Sequence, residues 1–130
     1  MHVMIVTDDA ERQARLTECL RGRGYELSVP VDRHHVLSSL KQEPPQVLVV
    51  DLYVVDPSPT EILREARRAG YRGKVVVMAG PSTSATLREC WQIGIDRVVG
   101  GIQVTGGAFD PCCVEVAIRA SCEKEVMQRA

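Results

Sequence analysis

Val47-Leu48-Val49-Val50-Asp51 is an unbroken run of apolar, mostly β-branched residues that stops at a carboxylate. Near the start of the chain, Val3-Met4-Ile5-Val6-Thr7-Asp8-Asp9 repeats the pattern and stops at two. Such runs read as strands buried on both faces of a parallel sheet. In an open parallel sheet, ligands bind outside the carboxyl ends of the strands, where the strand order reverses. Asp8, Asp9 and Asp51 are therefore expected in one crevice. Carboxylates crowded together repel one another, so the site calls for a hard cation such as Mg²⁺.

Outward from these runs, helical and strand patterns alternate. Asp9 is placed to cap a first helix with Leu16, Cys19 and Leu20 inside, ended by Gly22 and Gly24. Tyr25 to Val31 alternates as a second strand. Asp32 is placed to cap a short helix that turns Val36, Leu37 and Leu40 inward. Pro44-Pro45 breaks the chain before the Val47 run. Ser58-Pro59-Thr60-Glu61 has Ser at the cap, Pro at the first helical position and Glu three residues after the cap. It opens a third helix that buries Ile62, Leu63 and Ala66 and ends near Gly70. Lys74 to Ala79 reads as a fourth strand. Thr83 to Ile93 reads as a fourth helix with Leu87, Cys90 and Trp91 in the core, and Asp96 to Val99 as a short fifth strand. A Gly-rich loop, 100–107, leads to a last helix that starts at Asp110-Pro111 and buries Val114, Ala117, Ile118 and Cys122.

Five strands alternating with five helices predict an α/β fold: a doubly wound, five-stranded parallel sheet with helices on both faces. The 130 residues suffice for one domain, expected over residues 1–130. With 45% apolar and 25% charged residues and a net charge of −1, the chain is neither a disordered segment nor a nucleic-acid binder by electrostatic footprint. No apolar run is long enough to span a bilayer and no signal-peptide pattern opens the chain, so a cytoplasmic location is expected. The five cysteines are odd in number and form no C-x-x-C, which reads as buried reduced thiols rather than disulfides or a zinc site. Cys112-Cys113 is read as a helix first turn, and His34-His35 as surface residues pointing in different directions.

With these pieces in order, the chain resembles a response-regulator receiver domain, the CheY-like module of two-component signalling. The resemblance is carried by Asp8-Asp9 after the first strand, Val-Leu-Val-Val-Asp51 in the third, Gly94-Ile95-Asp96 after the fourth helix and Phe109-Asp110-Pro111 before the last. It implies a flavodoxin-like sheet of order 2-1-3-4-5. It also implies that Asp51 accepts a phosphoryl group from a sensor histidine kinase or phosphotransfer protein. Mg²⁺ would be held by Asp9 and Asp51, by Asp8 through water, and by the backbone carbonyl of Tyr53. A carboxylate is a poor nucleophile, so such transfer depends on positioning and charge neutralisation. The module is a regulator, not an enzyme.

The departures fall on the half of the family's site that senses the phosphoryl group. The hydroxyl residue that the family places at the end of the fourth strand is Ala79 here. The family's lysine after the fifth strand falls on Gly101 by one count and Gly107 by another, and no lysine lies between Lys74 and Lys124. Val98 replaces the switch aromatic and Val55 the loop proline. Ser82, Thr83 and Arg97 are the candidates for a substitute donor.

Two functions follow. One is a receiver phosphorylated at Asp51 that regulates a partner or output domain. The other is a degenerate receiver, working as a phosphorylation-independent interaction module. In both, the face of the fourth helix, fifth strand and last helix is the docking surface for a downstream protein or a second copy, without direct contact to nucleic acid or membrane. A cobalamin-binding module ranks low because Thr7 to Gln13 contains no histidine. A flavin site is disfavoured because Asp8, Asp9 and Glu11 would repel its phosphate.

Overall fold

The structure is a computed structural model that describes residues 1–30, 35–103 and 109–129, with residues 123–129 described by backbone alone. The elements are β1 (His2–Val6), α1 (Ala10–Gly22), β2 (Glu26–Ser28), α2 (Val36–Gln42), β3 (Val47–Asp51), α3 (Pro59–Arg68), β4 (Lys74–Met78), α4 (Ser84–Ile93), β5 (Arg97–Val99) and α5 (Pro111–Arg129). All strand pairs are parallel, in the order β2-β1-β3-β4-β5. The expected fold class and strand order are thus the observed ones.

The unbroken apolar runs serve two cores, one on each face of the sheet. Met4, Val6, Leu48, Val50, Val75 and Val77 pack beneath α2, α3 and α4 with Ile62, Leu63 and Cys90. Their neighbours Val3, Ile5, Val47, Val49, Val76 and Met78 pack beneath α1 and α5 with Leu16, Leu20, Val114 and Ile118. Alternate strand residues point to opposite faces, so a strand covered on both sides cannot show polar alternation.

The local signals act as their chemistry requires. Asp9 accepts from the Arg12 N–H at 2.9 Å and Ser58 Oγ from the Glu61 N–H at 3.2 Å, each satisfying a donor that its helix cannot. Asp110 Oδ1 accepts from the Cys112 N–H at 2.9 Å. Gly70, with φ of +97°, takes the left-handed turn after α3.

Several expectations change. The edge strand β2 is shorter than the reading of Tyr25 to Val31, because it pairs only over Glu26–Ser28. Tyr25 instead donates its hydroxyl to buried Glu115 on α5, which also pairs with Arg23 at 3.1 Å and Arg119 at 2.5 Å. The proposed cap Asp32, His34, and Gly106 and Gly107 of the loop lie outside the described residues. Trp91 is 52% exposed rather than core: α4 buries Cys90, and the next residue is turned about 100° away from it. Of the five cysteines only Cys90 is buried, while Cys112 and Cys113 are exposed on the first turn of α5; all five are free thiols. No described helix is long and apolar enough to cross a membrane.

Tyr71 closes the end of the sheet opposite the acids. Its hydroxyl donates to the Pro45 carbonyl at 3.0 Å, and burial pushes its phenol up to about 12. A phenol raised from about 10 to about 12 on folding adds stability that is complete below pH 10 and lost as pH rises towards 12. Tyr71→Phe is therefore expected to be about 1 kcal/mol less stable near neutrality, through the lost hydrogen bond. That deficit should narrow as urea midpoints are followed above about pH 10. A constant deficit would mean that the Tyr71 phenol does not report burial.

Candidate functional site

Strand register builds the crevice. Val6 pairs with Val50, so Thr7 comes level with Asp51, and the Thr7 hydroxyl donates to Asp51 Oδ2 at 2.6 Å. Asp51 follows Val47 and Val49 at a spacing of two, which turns it to the α1–α5 face. Its other oxygen, Oδ1, accepts the Tyr53 N–H at 2.9 Å.

The cation of the site comes from α1. Arg12 lies one turn before Leu16 and two before Leu20, on the stripe that α1 buries. Its Nη1 stands 2.5 Å from Asp51 Oδ2, and both side chains are almost fully buried, at 1% and 2% exposure. Nη2 donates to the Gln103 carbonyl in the loop after β5. The guanidinium carbon lies 5.8 Å from the centroid of the Tyr53 ring and 5.9 Å from that of Phe109, within cation–π range of both. Nε has no partner among the described residues.

The loop after β5 is fastened to the same point. The Tyr53 hydroxyl donates to the Ile102 carbonyl at 2.9 Å, and the Ile102 N–H donates to the Ala79 carbonyl at 3.0 Å. The Ala79 methyl packs in the other core layer, beneath α2–α4. Thr83, one candidate for a substitute donor, is turned back on Gly80: it accepts from the Gly80 N–H at 3.0 Å and donates to the Gly80 carbonyl at 2.9 Å.

This arrangement has the parts of a signalling acid pocket, and the sequence profile of the response regulator receiver domain matches residues 3–100. The chain belongs to that family. Solved receivers share its fold. A CheY-like receiver domain from Methanospirillum hungatei is 17% identical over 98% of this chain and 97% of that one, with a TM-score of 0.81. The chemotaxis response regulator CheY4 of Vibrio cholerae is 14% identical over 92% and 97%, with a TM-score of 0.78. NtrX from Brucella abortus is 16% identical, with a TM-score of 0.78; the match covers 98% of this chain but 29% of NtrX. No curated protein matches the chain. Receiver domains are in general signalling modules rather than enzymes. They act with histidine kinases or phosphotransfer proteins and with output domains, and they typically bind Mg²⁺ at the phosphorylation site.

The receiver's three acids do not stand alike. Asp51 is buried, Asp9 half-buried and Asp8 exposed. One Asp9 oxygen caps α1, and both Asp51 oxygens already accept hydrogen bonds. Among the described residues, no three His, Cys, Asp or Glu side chains gather as a metal-ion group. At Asp51 the residues as arranged do not fit a divalent ion: its Oδ2 already holds the Thr7 hydroxyl and the Arg12 guanidinium, and Arg12 is the positive charge beside it. The sequence reading missed this residue, although its place four before Leu16 marked it as inward-facing.

Proposed function

We propose that this receiver accepts a phosphoryl group on Asp51 from a histidine kinase or phosphotransfer protein, and that the change at Asp51 is relayed to a partner through the loop after β5. One observation carries the reading: the guanidinium that pairs with Asp51 also holds the Gln103 carbonyl. In the transfer, an Asp51 oxygen forms a bond to phosphorus. The bond from phosphorus to the donor's imidazole nitrogen breaks, and its electron pair leaves with the imidazole. Phosphoryl transfer is chiefly positioning and charge stabilisation, and Arg12 supplies a fork of donors whose Nε has no partner among the described residues. No step is assigned to a metal ion. Asp51 is 1% exposed, so the donor is admitted only when Arg12 and the loop move aside.

Such motion would reach β5 and α5 directly. The downstream protein, or a second copy, would dock on the face of α4, β5 and α5; Trp91 on α4 and Val116 on α5 are exposed apolar side chains of these helices. Incubation with acetyl phosphate, read by intact mass, tests the chemistry. The native chain is expected to gain one phosphoryl group and Asp51→Asn none. No gain with any phosphodonor would end the acceptor reading and leave an interaction module that works without phosphorylation.

A further inference from the structure

We propose that Arg12 is the resident cation of the acid pocket, filling with a covalently attached guanidinium the electrostatic place that a divalent ion takes in other receivers, and that the pocket is consequently indifferent to magnesium. The inference rests on the site being a receiver's acid pocket, not on Asp51 being phosphorylated.

Charge comes first. Arg12 neutralises Asp51 at 2.5 Å with both side chains almost fully buried, so attraction for a cation is left to the more exposed Asp8 and Asp9. The carboxylate that would anchor a metal is already paired. A dication arriving there would have to displace the guanidinium or sit beside it against like charge. Geometry adds to this. Asp51 has Thr7 and Arg12 on one oxygen and the Tyr53 N–H on the other. Mg²⁺ wants near-ideal octahedral oxygens and gives up its waters reluctantly, so it competes poorly for Oδ2, where both lone pairs are engaged, and shares Oδ1 with the Tyr53 N–H.

Tethering adds most. Arg12 is carried by α1, whose first turn is fixed by Asp9 and whose inner stripe is held by Leu16 and Leu20. A tethered group meets its partner at an effective concentration that free ions at ordinary levels do not match. Withdrawal would also break the bond to Gln103 and uncover the faces of Tyr53 and Phe109.

The test is magnesium binding to the full chain, by calorimetry and by thermal unfolding, with no phosphodonor present. Failure here is therefore separate from failure of the labelling experiment. The native chain is expected to give the same Tm in MgCl₂ as in NaCl of equal ionic strength, and no binding heat. Arg12→Gln frees the carboxylate and is expected to bind Mg²⁺ at least about tenfold more tightly than the native chain. Adding Asp51→Asn to Arg12→Gln should abolish that binding. Equal affinity in native and Arg12→Gln chains would overturn the proposal, and so would absence of binding in both. If Arg12→Gln does not fold, the native chain decides alone: a Tm raised by magnesium beyond the ionic-strength control refutes it.

Discussion

Arg12→Ala is expected to cost the fold about 3–5 kcal/mol, measured by urea unfolding near neutral pH. The reason is not the value of the ion pair as such. Taking two charges out of water is expensive, and a buried pair often does little better than a well-packed apolar pair. Removing one partner is what destabilises, because Asp51 stays at 1% exposure with its charge unmatched. Alanine also strips the cation from the faces of Tyr53 and Phe109 and leaves the Gln103 carbonyl without its donor. Natural domains hold about 5–15 kcal/mol in all, so this single change takes a large share.

A double-mutant cycle separates the pair from its parts. Asp51→Asn keeps an oxygen for the Tyr53 N–H, so it should cost less than Arg12→Ala, although it leaves Arg12 with Gln103 as its hydrogen-bond acceptor. Arg12→Ala with Asp51→Asn should be more stable than the sum of those two single changes predicts by about 0.5–3 kcal/mol, the range for directly contacting groups. If Arg12→Ala costs under about 1 kcal/mol, the pair behaves as an exposed one, and the burial that underlies the resident-cation proposal is absent in solution.

The fold was legible because its signals were redundant. The runs at Val3 and Val47, the caps Asp9, Ser58 and Asp110, and the breaks at Pro44-Pro45 and Gly70 each pointed the same way, and the structure uses each of them. The site was legible only along the strands. Strand period and order placed Asp51 and the acids at one end of the sheet, but the partner of Asp51 depends on which helix face turns inward there. Arg12 is four residues before Leu16, yet an arginine on an apolar stripe is usually discounted, and only the side-chain packing shows it buried rather than reaching out to solvent. Trp91 failed in the opposite direction. Its helical spacing with Leu87 and Cys90 reads as core, but Cys90 takes the inward position and Trp91 falls on the outer side of α4, the surface that is its alternative reading. The loop after β5 was opaque because its role rests on the backbone carbonyls of Ile102 and Gln103, which leave no mark in side-chain identity.

That dependence on backbone makes Gly80→Ala the second large effect, about 1–3 kcal/mol of destabilisation with a displaced loop. Gly80 has φ of −140° and ψ of −176°, an extended conformation open to any residue, so alanine meets no conformational penalty. The obstacle is space. A Cβ on Gly80 would overlap the Ile102 carbonyl oxygen and the Tyr53 hydroxyl, the two atoms that hydrogen-bond to each other there. The tyrosine tip can swing away, but the carbonyl belongs to a backbone pinned on both sides. Ala79 N–H donates to Val99 O at 2.8 Å and Ile102 N–H to Ala79 O at 3.0 Å. Relief therefore requires losing the Tyr53–Ile102 bond and shifting Ile102, and Gln103 must follow, drawing its carbonyl from Arg12. Tyr53→Phe is the control. It removes one of the two obstructing atoms, so Gly80→Ala should cost less in the Tyr53→Phe background than in the native chain. Equal costs in the two backgrounds would assign the whole clash to the Ile102 carbonyl. A neutral Gly80→Ala would mean that the loop yields freely, and with it the path by which Asp51 is held to reach β5 and α5.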